Sequence, residues 1–129
     1  MVFPRGTRYS CHIEDDPDSR MLLAALLTQM GFAVTSAADG EEGLRFLYSE
    51  AQCDAVIANV MMPGMSGVAF ARLMQQIRPG LPTAFVTGRH DGIELALAAG
   101  AIPLLKPFGA QQREALEAIW SEAETVAVT

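Results

Sequence analysis

Three acidic residues in a row, Glu14-Asp15-Asp16, close the short apolar run Tyr9 to Ile13. Carboxylates crowded at the end of a buried segment repel one another unless a cation neutralises them. A Mg²⁺ ion takes one or two carboxylates plus phosphate oxygens and keeps several waters, so the triplet could form one side of a phosphate site. Thr87 ends the run Thr83 to Thr87, and Lys106 follows the run Ile102 to Leu105. A hydroxyl and an ammonium there could hydrogen-bond and neutralise phosphoryl oxygens, which is most of what phosphoryl transfer requires. Gly88, directly after Thr87, leaves room for a phosphodonor. Asn59 lies near the end of a further run, Asp54 to Val60. Each residue also has an ordinary reading. Acids before a helix serve as N-cap and first-turn charges, Thr87 as a strand-end hydroxyl and Lys106 as a surface lysine. The combination carries the argument, because each group falls at the end of a different apolar run.

The elements that would position these groups alternate along the chain. Tyr9 to Ile13 reads as a strand, and Asp16 as the N-cap of a helix with Pro17 in its first turn. Met21, Leu22, Ala25, Leu26 and Met30 recur at helical spacing before a stop at Gly31. Phe32 to Thr35 is a second strand. Asp39 starts a second helix, with Glu42 completing a capping box and Leu44, Leu47 and Tyr48 on its apolar side. Asp54 to Val60 is a buried strand ending in a turn-rich loop, Met62 to Gly67. A third helix, Val68 to Ile77, ends at Pro79-Gly80. A fourth strand spans Thr83 to Thr87, a short helix Ile93 to Ala99, and a fifth strand Ile102 to Leu105. A last helix carries Leu116, Ile119 and Trp120.

Alternating strands and helices without repeats imply an α/β domain with a parallel sheet. Continuous apolar strands fit a sheet covered by helices on both faces. Right-handed crossovers allow a doubly wound five-stranded sheet in order 2-1-3-4-5, with ligands beyond the carboxyl ends of the strands. The length of 129 residues suits a single domain, expected to span 1–129 with a core of about 8–123. Half the residues are hydrophobic and 19% charged, which excludes a mainly disordered chain. Asp plus Glu total 15 against 9 Lys plus Arg, a net charge of −6. Such a surface repels phosphate backbones and anionic membranes, so no direct nucleic-acid or membrane partner is expected. Two cysteines give no disulfide framework, no segment reads as a secretory signal, and none approaches the roughly 20 apolar residues of a membrane span. A soluble, cytoplasmic protein is expected.

Together, Glu14-Asp15-Asp16-Pro17, the segment Asn59-Val60-Met61-Met62-Pro63-Gly64-Met65-Ser66-Gly67, Thr87 and Lys106-Pro107-Phe108 resemble the receiver domain of bacterial two-component response regulators. The likeness runs from about Arg8 to about Ala123 and implies the flavodoxin-like receiver fold. It implies that Glu14 and Asp15 are the acidic pair that binds Mg²⁺. Met61 would give the metal its backbone carbonyl, Thr87 would be the switch hydroxyl, and Lys106 the lysine that contacts the phosphoryl group. The implied partner is a sensor histidine kinase or another signalling protein, met by the face of the fourth helix, fifth strand and fifth helix near Ala96, Ala99, Leu104 and Gln111. A monomer or weak homodimer is expected, not an enzyme, either standing alone or as a piece of a larger regulator or hybrid kinase.

Three features depart from that family. Asn59 falls where the family has its phosphoaccepting aspartate, and an aspartyl phosphate needs a carboxylate nucleophile. Losing that charge also weakens or abolishes Mg²⁺ binding at Glu14, Asp15, Asn59 and Met61. Unit charges near 4 Å at an effective dielectric of ~20 interact by ~4 kcal/mol before desolvation. The aromatic residue that often precedes the lysine is absent, with only Pro103 and Leu104 in its place, and Gly100 to Lys106 is one residue short. The expectation is a receiver acting by partner binding without phosphorylation. Two alternatives stay open: an ordinary receiver with an engineered Asp-to-Asn change, or an aspartate-nucleophile phosphatase using Asp16-Pro17-Asp18-Ser19. The phosphatase class needs a later acidic pair, whereas Glu114, Glu117, Glu122 and Glu124 are spaced along a helix. A flavin phosphate loop is excluded by the acids after the first strand. His12 reads as a core histidine without further ligands at metal spacing, His90 as solvated, and Cys53 as lacking an activating base. Met61, Met62 and Met65 read as loop packing.

Overall fold

The strands form on short runs rich in apolar and β-branched residues, and the helices where an N-cap precedes an apolar segment. In this computed structural model the described residues are 6–49, 52–59, 62, 64–87, 94, 96–97, 102–105, 114 and 117. Their elements are β1 (Arg8–Ile13), α1 (Pro17–Gln29), β2 (Phe32–Ala37), α2 (Gly40–Tyr48), β3 (Ala55–Asn59), α3 (Gly67–Ile77), β4 (Thr83–Thr87) and β5 (Ile102–Leu105). Glu94, Ala96 and Leu97 are helical, as are Glu114 and Glu117. The full expected spans of those two helices, with Leu116, Ile119 and Trp120, lie outside the described residues.

The sheet is parallel, in order β2-β1-β3-β4-β5. This is the expected doubly wound arrangement, with the reversal of strand order between β1 and β3. β2 runs two residues beyond Thr35, because Ser36 and Ala37 pair with His12 and Ile13. β3 starts at Ala55 rather than Asp54. The Asp54 carboxylate accepts the Tyr9 N–H at 2.7 Å, and its own N–H donates to the Tyr9 carbonyl at 2.9 Å. Pro103 is tolerated in β5 because an edge strand can spare one ladder donor.

Alternation along β3 divides the core between the two faces of the sheet. Val56 and Ala58 join Cys11, Ile13, Leu47, Phe70, Met74 and Phe85 on one face. Ala55 and Ile57 join Leu23, Leu27, Phe32, Ala84, Val86 and Leu104 on the other. Two expected stripes are corrected. On α1 the sheet-facing residues are Leu23 and Leu27, with Leu26 and Met30 partly buried, while Met21 and Leu22 are exposed. The segment Met21 to Leu27 is apolar almost all round, so spacing alone does not choose the buried side. On α2 Leu47 is buried and Leu44 packs at the margin, but Tyr48 is exposed.

Candidate functional site

Glu14 leaves β1 still attached to the sheet, its N–H donating to the Ala37 carbonyl at 3.0 Å. That bond extends the ladder by one step and holds the Glu14 side chain at the carboxyl edge, where it is only 4% exposed. Asp15 is exposed. Asp16 has a different task. Its Oδ2 accepts the Ser19 N–H at 2.8 Å as the N-cap of α1, with Pro17 in the first turn. An aspartate held in this way counts against Asp16 as a phosphatase nucleophile. The acidic triplet is therefore one cap and one pair.

Asn59, the last residue of β3, faces that pair. Its Nδ2 donates to Glu14 Oε2 at 2.8 Å and to Asp15 Oδ1 at 3.3 Å. A primary amide has two N–H groups, one for each carboxylate. The opposite orientation would set its oxygen against two acceptors, so the carboxylates themselves dictate which end points inward. Hydrogen bonds to ionised groups are stronger than neutral ones, with a net contribution of about 1.5–3 kcal/mol each. The 3.3 Å bond to exposed Asp15 belongs at the low end of that range. The Asp16 N–H adds a long donation to Glu14 Oε2 at 3.4 Å.

Arg20 is a participant that the motif reading did not single out. Its Nη1 donates to the Glu14 carbonyl at 2.9 Å and the Asp15 carbonyl at 3.4 Å. Long helical side chains lean back toward the helix N-terminus, so a first-turn arginine drapes over the preceding loop. That direction was the available signal. Arg20 clamps the backbone of both acids and brings a positive charge beside them.

Thr87 ends β4 and is 4% exposed. Asn59 pairs with Val86, which places Thr87 on the same carboxyl edge. Thr87 pairs with Leu105, the last residue of β5. Met61, Gly88, His90 and Lys106 lie outside the described residues. Among the described residues no group of three or more His, Cys, Asp and Glu side chains could hold a metal ion. A Mg²⁺ between Glu14 and Asp15 would require oxygen ligands on every side. The side chain facing them is turned as an N–H donor and offers the ion no oxygen in that orientation.

The remaining candidates are structural. His12 is buried within β1. Cys11 is buried and Cys53 partly so, both as free thiols. Burial pushes the Cys53 thiol up to about 11 and raises that of Cys11 further, the reverse of an activated nucleophile. Met62 and Met65 pack against the core, and Met65 Sδ lies 3.0 Å from where a Cβ on Gly40 would sit.

Comparison with known proteins gives a consistent result. The family model of the response regulator receiver domain matches residues 11–119. Transcriptional regulatory protein GlrR of Escherichia coli K12 is 38% identical over 67% of this chain, which spans 19% of that protein. Probable chemotaxis protein CheY of Rhizobium etli is 33% identical, covering 84% of this chain and 88% of its own length. Among solved structures, the receiver domain of sensor histidine kinase PA1611 from Pseudomonas aeruginosa superposes with a TM-score of 0.79. It is 23% identical, covers 92% of this chain and 99% of its own, and has a magnesium ion coordinated in its active site cleft.

Proposed function

This chain belongs to the response-regulator receiver family of two-component signalling, and on that premise we propose a receiver that works without aspartyl phosphorylation, by binding a protein partner. The observation that carries the proposal is the Asn59 amide, whose nitrogen donates to both Glu14 and Asp15. In this reading Asn59 occupies the position where receivers have their phosphoaccepting aspartate. Forming an aspartyl phosphate needs a carboxylate oxygen as the nucleophile. The amide is neutral and presents N–H groups to the acidic pair.

Thr87 and Lys106 are proposed to keep the positions of the switch hydroxyl and the phosphoryl-contacting lysine, and Met61 that of the metal-facing carbonyl. Mg²⁺ is bound weakly or not at all. The whole of 1–129 is taken as one receiver unit with its core at about 8–123. The partner is a sensor histidine kinase or another signalling protein in the cytoplasm, and the chain is a monomer or weak homodimer. The net charge of −6 disfavours direct contact with nucleic acid, and no enzymatic turnover is assigned. Among the described residues no helix is long and apolar enough to cross a membrane.

Intact mass after incubation with acetyl phosphate and Mg²⁺ tests the reading. The parent is expected to gain no phosphoryl group, and Asn59→Asp to gain one. A phosphoryl gain by the parent overturns the proposal.

A further inference from the structure

Glu14 and Asp15 are adjacent at the carboxyl edge, Glu14 4% exposed and Asp15 exposed, so the cost of desolvating charge falls mainly on Glu14. Asn59 Nδ2 stands between them at 2.8 and 3.3 Å, and Arg20 holds both backbone carbonyls at 2.9 and 3.4 Å. We infer that the Asn59 amide takes the place of a cation in this pocket, with Arg20 supplying the positive charge, so that the fold is stable without Mg²⁺ and closed to it. The inference rests on the reading of Asn59 given above and deepens it. A lost nucleophile would abolish phosphorylation and leave the metal site loose. Here the substituted residue also fills that site.

To admit Mg²⁺, the amide must turn its oxygen inward and give up both charge-assisted hydrogen bonds. The ion must also shed part of its water shell, which it does reluctantly, and the side chain at 59 brings no charge in return. The Arg20 guanidinium, held on the Glu14 and Asp15 backbone carbonyls, adds a positive charge near the same loop. Each of these terms opposes binding, whereas an aspartate at 59 would add a third carboxylate and remove both donors.

Thermal unfolding and calorimetric titration of the full chain, with and without millimolar Mg²⁺ at matched ionic strength, test the inference. The parent Tm is expected to be unchanged by Mg²⁺. Asn59→Asp is expected to melt lower without the ion and to recover by about 5 °C when it is added. Asn59→Ala, which removes the amide's two donations without adding charge, is expected to melt below the parent and to gain from Mg²⁺. If Asn59→Asp does not fold without the ion, the alanine variant carries the comparison. Parent affinity for Mg²⁺ within about tenfold of that of Asn59→Asp, a difference of ~1.4 kcal/mol or less, overturns the inference. An Asn59→Ala variant that melts with the parent overturns it as well. A parent that binds Mg²⁺ yet gains no phosphoryl mass would sink this inference and leave standing the proposal of partner binding without phosphorylation. A parent that gains the phosphoryl group would sink the proposed function.

Discussion

Replacing one carboxylate oxygen by NH₂ at position 59 reverses its role toward its neighbours. An aspartate would repel Glu14 and Asp15 and draw a cation among them. Asn59 instead donates to both. The residue type was legible in the sequence; the direction of the amide was not, because it depends on two acceptors 44 and 45 residues away. Arg20 was missed for a related reason, since its partners are backbone carbonyls and leave no motif. The thiols give a prediction at the same scale. With Cys53 raised from 9.0 to about 11, only about one thiol in a thousand is ionised at pH 8. Alkylation by iodoacetamide at pH 8 should therefore be far slower than for a free cysteine, and should accelerate toward pH 11. The native state keeps protons that the unfolded chain releases, so this thiol's contribution to stability falls as pH rises from 9 to 11. Fast alkylation of native protein at pH 8 would contradict the burial.

Among the elements, helix starts were easier to read than helix faces. Asp16 and Asp39 cap α1 and α2 as their spacing indicates, since capping is a local hydrogen bond. The capping box is displaced by one residue: Glu42 Oε2 accepts from Ala38 N at 3.0 Å. Ser66, in the span expected as a turn-rich loop, caps α3 through the Ala69 N–H at 3.1 Å. Gly31, with φ +94°, ends α1 as expected. Gly43 carries no local signal, because its significance is tertiary. A Cβ there would lie 2.8 Å from Ile13 Cγ1 and 3.2 Å from Phe70 Cε2, both fully buried side chains. Gly43→Ala gains about 1 kcal/mol of helix propensity but incurs about 1–3 kcal/mol of overpacking. The crowded atom is close to the Ile13 backbone and cannot swing away, so a net loss of about 1 kcal/mol is expected in urea unfolding. A stabilised variant would show that α2 and the end of β1 give way more readily than their contact distances indicate.

At the scale of the whole molecule, sheet order followed from alternating elements, continuous apolar strands and the hand of the crossovers. That was enough to place Glu14, Asn59 and Thr87 on one edge. The phase of α1 was not legible, because a helix apolar on every side does not say which leucine meets the sheet. The structure selects Leu23 and Leu27 and leaves Met21 74% exposed. The central claim is that no phosphoryl-like ligand at this edge resets the molecule. Amide ¹H–¹⁵N spectra of the parent and of Asn59→Asp, recorded before and after adding beryllium fluoride with Mg²⁺, test it most directly. The account predicts an unchanged parent spectrum, with Thr87 and the residues after β4 unmoved, and a shifted Asn59→Asp spectrum. Parent resonances at Thr87 and along β5 that move as they do in the aspartate variant would contradict it.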